Sequence, residues 1–181
     1  DRDNFKNSGI LPNKKIAPLR QLPDLDVDGK IFAQTGAIAR FCGKLSGLYP
    51  KDDDLAAARI DQVIEVAQDI NYLFTLSSRD KEKEKLKLAR KIFATKHLPK
   101  YFSFLENLIK ENDNSLFFVG ENISIADLAI WRLLGWFESG IIDGVPTNIL
   151  EPYENLKKMR NEIYKHPKVN DWMIKTYGKV I

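Results

Sequence analysis

Arg20-Gln21-Leu22-Pro23-Asp24-Leu25-Asp26-Val27-Asp28-Gly29-Lys30-Ile31-Phe32 is the stretch on which the fold turns. Its second half predicts two short strands joined at Asp28-Gly29, because tight hairpin turns need positive φ at both central residues and Asp-Gly tolerates it. Its first half contains Leu22-Pro23, and an X-Pro bond is the common place for a cis peptide. In the cis form the Leu22 amide and carbonyl would face outward, unpaired, from a strand edge, where a small peptide could pair as an added strand. In the trans form Pro23 is an ordinary loop proline. Just beyond, Gln34-Thr35 precedes a helix predicted over 36–45, with Thr35 as N-cap and Gly47 as the stop. Taken alone, Gln-Thr before a helix means a cap. A helix N-terminus with free amides and a hydroxyl is also a ready anion site.

From Asp52 onward the pattern changes to helix after helix. Asp52, Asp53 and Asp54 place negative charge where a helix dipole favours it, and Val63, Ala67, Ile70 and Phe74 follow at three- and four-residue spacing. A second helix is predicted from Lys83, with a break at His97-Leu98-Pro99, and its continuation carries Leu98, Phe102, Leu105 and Ile109 on one stripe. The segment 125–137 is apolar nearly all round apart from Asp127 and Arg132, the mark of a helix inside a bundle. Ser124 stands three residues before Asp127, which predicts a capping box at its start, with Ile123 and Leu128 at the staple positions. Leu156, Met159 and Ile163 predict a further amphipathic helix, and Pro167 opens a last short one.

Composition narrows the function classes. The 28 basic and 25 acidic residues of this 181-residue chain are interleaved, giving a formal net charge of +3, whereas a nucleic-acid protein concentrates its basic residues in a stripe. The densest run, Arg79 to Lys91, includes Asp80, Glu82 and Glu84, so no nucleic-acid partner is expected. No apolar run approaches the roughly 18 residues of a spanning helix. One cysteine excludes an internal disulfide and fits a reducing compartment. Cys42 falls inside a helix, away from the N-terminal dipole that activates a thiol. His97 and His166 are read as helix-boundary residues, and no metal site is expected from two scattered histidines and one cysteine.

The order Gln21-Leu22-Pro23, Asp28-Gly29, Gln34-Thr35-Gly36-Ala37-Ile38-Ala39-Arg40 resembles the cytosolic glutathione transferases. Phe118-Val119-Gly120-Glu121 with Ser124-Ile125-Ala126-Asp127-Leu128 is similar to that family's helix-capping motif, and Leu150 to Leu156 and His166-Pro167-Lys168-Val169 to its C-terminal segments. The likeness covers nearly the whole chain and is closest to the sigma-like branch. It implies an α/β plus all-α protein, with a partial thioredoxin-like domain over 1–48 and a helical bundle over 49–181. It implies a glutathione site of Lys14, Gln21, Leu22, Pro23, Gln34, Thr35 and Asp61. In that site Leu22 holds the cysteinyl part, Thr35 the γ-glutamyl carboxylate with Gln34 adding polar side-chain contacts, and Lys14 the glycyl carboxylate. Asp61 would reach the amino group of a partner's glutathione, which requires a homodimer.

The resemblance also implies an enzyme that joins the glutathione thiolate to a small hydrophobic electrophile in the cytoplasm, without a resident cofactor. Trp131, Trp136, Phe137 and Tyr177 are expected mostly in the core, with Trp131 or Tyr177 placed to edge an electrophile pocket. The family's catalytic Tyr or Ser lies at the end of a first strand. Asp1 to Phe5 reads as the close of a second strand, so about 25 residues are expected before it. Tyr49, Tyr72 and Tyr101 lie on the wrong elements to substitute, so no catalytic residue is assigned within the sequence, and by itself it is expected to be inactive. A non-catalytic scaffold or assembly subunit is the alternative reading.

Overall fold

The computed structural model describes residues 8–11, 15–112 and 115–178, which form two units, Asp1–Tyr49 and Pro50–Ile181. Lys14 and the reading of Asp1 to Phe5 lie outside the described residues.

In the first unit β1 (Leu25–Val27) and β2 (Lys30–Phe32) pair antiparallel, with Leu25 opposite Phe32 and Val27 opposite Lys30. Asp28 and Gly29 both take positive φ, 48° and 89°, as the Asp-Gly signal predicts. The Asp26 carboxylate fixes the turn by accepting from the Gly29 amide at 3.0 Å, and its other oxygen pairs with Lys15 at 2.7 Å. The helix α1 (Thr35–Ser46) follows directly. Phe32 of β2 and Phe41 of α1 stack at 5.8 Å, which ties the hairpin to the helix. Gly47, at φ 77°, closes α1 in the left-handed conformation that glycine adopts without a Cβ clash.

The second unit is a helical bundle: α2 (Asp54–Ser77), α3 (Lys83–Ile92), α4 (Leu98–Glu111), α5 (Ile125–Glu138), α6 (Glu154–Lys165) and α7 (Pro167–Tyr177). The Asp53 carboxylate caps α2 by accepting from the Ala56 amide at 2.9 Å. The predicted break at His97-Leu98-Pro99 does not occur. Phe93–His97 forms one wide turn between α3 and α4, in which the Leu98 amide donates to the Phe93 carbonyl five residues back. Pro99 has no amide to donate and its ring crowds the preceding turn, and a single π-type turn absorbs both problems without ending the helix.

The core lies around α5. Ile130, Leu134 and Phe137 are buried there against Ile70, Phe74, Phe93 and Phe102, and the rings of Phe74 and Phe137 meet edge to face at 5.9 Å. Trp131 is buried as expected, but Tyr177 is not: it stays 43% exposed, edge-on to Trp172 and beneath the Arg132 guanidinium. It lies at the last turn of α7, where these two contacts leave much of its ring in solvent. The thinly packed α3, which has no fully buried side chain, is held by particular contacts. Arg90 donates to Ser78 Oγ at 3.3 Å and lies over the Phe74 ring. Gly144, at φ 88°, lets its loop approach so closely that a Cβ there would fall 2.6 Å from the Lys87 carbonyl oxygen.

Two buried carboxylates organise the bundle. Asp127 accepts from the Phe118 amide at 2.9 Å, the Ser124 amide at 2.8 Å and the Ser124 hydroxyl at 2.6 Å, completing the predicted capping box. Glu106, on α4, accepts from the Asn155 and Leu156 amides at 3.0 Å each and from the Asn155 side chain at 2.9 Å. The start of α6 is therefore capped from another helix, since its own N-cap Tyr153 makes no capping bond.

Candidate functional site

The site is built where the hairpin returns the chain to its own beginning. Gln21, Leu22, Pro23, Gln34 and Thr35 line one open cleft of about 70 Å³, together with Leu19 and Ala33. The hairpin places the two ends of the 20–35 segment side by side, so residues 12 or 13 apart in sequence line the same cleft. The Leu22-Pro23 bond is cis, and Leu22 is 65% exposed at the cleft. Among the described residues no main-chain hydrogen bond outside the helices and strands engages Leu22, an arrangement to which a peptide strand could be added.

The second wall differs by one residue from the sequence reading. The α1 helix starts at Thr35, and its N-cap is Gln34 at φ 73°, with no side-chain capping bond. Thr35 is thus the first helical residue, with its amide and hydroxyl at the open end of a twelve-residue dipole. A positive φ is sparsely populated for a residue with a long side chain and costs on the order of 1–3 kcal/mol, so such residues concentrate at functional sites. Gly36, buried as the second residue of the helix, leaves no side chain to obstruct this end. The chemistry available is anion binding by amides, a hydroxyl and a dipole on one side, and main-chain pairing to a peptide on the other.

Asp61 stands in the second unit, half-buried on α2. Lys14 falls outside the described residues, while its neighbour Lys15 is engaged with Asp26. Sequence reasoning missed Leu19 and Ala33, which carry no chemical signature and line the cleft through the path of the main chain. Among the described residues no group of three or more His, Cys, Asp or Glu could hold a metal ion.

Residues 68–176 match the family described as glutathione S-transferase, C-terminal domain. The chain belongs to the glutathione S-transferase family. A glutathione S-transferase of Plasmodium yoelii yoelii is 32% identical over 137 residues, which is 76% of this chain and 62% of that relative's length. The chain thus spans less than two thirds of that relative. The structure of prostaglandin synthase D of Nilaparvata lugens superposes with a TM-score of 0.79, covering 97% of this chain and 80% of that one at 23% identity, a likeness of fold. A monomeric glutathione S-transferase, Na-GST-3, from the hookworm Necator americanus gives a TM-score of 0.73 at 25% identity, covering 97% and 80%. The glutathione S-transferase fold accounts for both units: a hairpin and helix of a thioredoxin-like domain, then the helical bundle.

Proposed function

We propose that the cleft of Gln21, Leu22, Pro23, Gln34 and Thr35 binds glutathione, and that the protein transfers it to a small hydrophobic electrophile in the cytoplasm. The observation that carries this reading is the pairing, in one cleft, of an open Leu22 main chain with the free N-terminus of α1. Glutathione is a short peptide with a carboxylate at each end, and those two walls suit it. Leu22 pairs with its cysteinyl unit, Gln34 and Thr35 hold the γ-glutamyl carboxylate, and Lys14 neutralises the glycyl carboxylate. In the reaction the glutathione thiol loses its proton, the sulfur forms a bond to the electrophilic carbon, and the leaving group departs with its electron pair. Free thiols with pKa near 8.5 are only a few per cent ionised at neutral pH, so a donor to the thiolate is needed.

Calorimetric titration with glutathione tests the site. Thr35→Ala and Lys14→Ala should each weaken binding by about 1–3 kcal/mol, the scale of a hydrogen bond to a charged group. The Lys14 effect should shrink in high salt. Unchanged affinity in both variants would remove the assignment.

The proposal extends to a symmetric homodimer, because Asp61 serves a ligand only if it reaches the partner's glutathione across a shared two-fold interface. The hookworm relative is described as monomeric, so membership of the family does not decide the matter. Light scattering should give twice the chain mass. A monomer at every concentration tested would make the Asp61 role untenable.

A further inference from the structure

One segment outside the proposed site carries a local excess of basic residues. Between Arg79 and Lys100 stand nine Lys or Arg and three Asp or Glu, a net of +6 against +3 for the whole chain. All three acids come before Lys85, and the next is Glu106. The segment forms α3, the wide turn and the start of α4, so these residues share one continuous helical rod. Lys85 pairs with Glu82 at 2.6 Å, but Lys87, Lys91, Lys96 and Lys100 are exposed and have no ion-pair partner among the described residues. Arg90 alone turns inward, to Ser78 and Phe74.

Two aliphatic side chains interrupt this cationic surface. Leu88 and Ile92, one turn apart, are 59% and 39% exposed. Leu88 has Glu84, Lys85, Lys91 and Ile92 as its neighbours at three and four residues along the helix. The inner side of α3 faces the bundle, so the outer side combines aliphatic tips with flanking lysines and one acid, Glu84.

We infer that the outer face of α3 and the wide turn after it docks on an anionic lipid bilayer, with Leu88 and Ile92 entering the interface and Lys87, Lys91 and Lys96 meeting the headgroups. Charge complementarity requires an acidic surface, and the residue types select a bilayer among acidic surfaces. Lysines extend apolar stems along a membrane interface while their ammonium groups stay hydrated. Nucleic-acid sites favour Arg and stacking aromatics, and no exposed Phe, Tyr or Trp lies between residues 79 and 100, where His97 is the one exposed ring. Protein interfaces are depleted of Lys at their cores. No helix among the described residues is long and apolar enough to cross a membrane, so the attachment is peripheral. Such contact is reversible and falls with salt. It would hold the protein where hydrophobic electrophiles accumulate.

The test is sedimentation of the 181-residue chain with phosphatidylcholine vesicles, with and without phosphatidylserine, at low and high salt. The expected result is binding to phosphatidylserine vesicles that weakens with salt. It should fall about tenfold or more in the triple variant Lys87→Glu, Lys91→Glu, Lys96→Glu, and several-fold in Leu88→Gln, Ile92→Gln. All five positions are exposed, and the melting temperature of each variant establishes that folding is retained. Equal binding to both kinds of vesicle, or no binding to either, overturns the proposal. Full binding by Leu88→Gln, Ile92→Gln overturns insertion, and tighter retention on single-stranded DNA than on phosphatidylserine vesicles assigns the face to nucleic acid instead.

Discussion

Asp127→Ala is expected to cost about 2–5 kcal/mol of folding stability, the sum of a lost helix cap and two buried amides left without acceptors. The carboxylate is fully buried and serves the Ser124 amide, the Ser124 hydroxyl and the Phe118 amide at once. It therefore joins the start of α5 to the loop before it, and the loss should appear as cooperative destabilisation of the bundle in urea titration. Asp127→Asn keeps one acceptor and should lose less. Burial pushes the Asp127 carboxyl above its ordinary value, against the hydrogen bonds of Ser124 and Phe118 that pull it down. The folded chain then holds this proton more readily than the unfolded chain does. The contribution of this group is fully present below the unfolded value and is lost as pH rises through the folded one. The advantage of the native protein over Asp127→Asn should accordingly narrow across that window and stay level above it. A constant difference at all pH values would contradict the assignment.

Glu106→Ala should cost about 2–4 kcal/mol, because it leaves the Asn155 and Leu156 amides of α6 without an acceptor in a buried place. Glu106 is 5% exposed, with Lys110 Nζ 3.7 Å away. Glu106→Gln preserves the shape and one acceptor but not the charge, so it should fall about midway. The affected contact joins α4 to α6, residues some 50 apart, and hydrogen exchange should locate the first loss of protection at the start of α6. An alanine variant as stable as the native protein would mean that water caps α6 equally well.

Some of this was legible from local sequence because the responsible interactions are local. Asp28-Gly29 gave the hairpin, since few residues other than Asn, Asp and Gly accept positive φ in such a turn. Ser124 and Asp127 gave their own capping box, because both partners lie within one helical turn. The apolar periods gave the helices of the second unit, and Leu22-Pro23 identified where an open strand edge was chemically possible. The start of α1 was misread by one residue. Gln34 takes a positive φ that its side chain disfavours, so propensity pointed to Thr35 as the cap. Pro99 read as a helix end, because a proline signals the missing amide but not the wide turn that accommodates it. Glu106 looked like one more charged helix residue, and its partners became visible only when folding brought α6 onto α4. The cleft belongs with these. Gln21, Leu22 and Pro23 meet Gln34 and Thr35 because the hairpin folds back through a defined register, so the sequence singled out these five residues and tertiary structure alone made them neighbours.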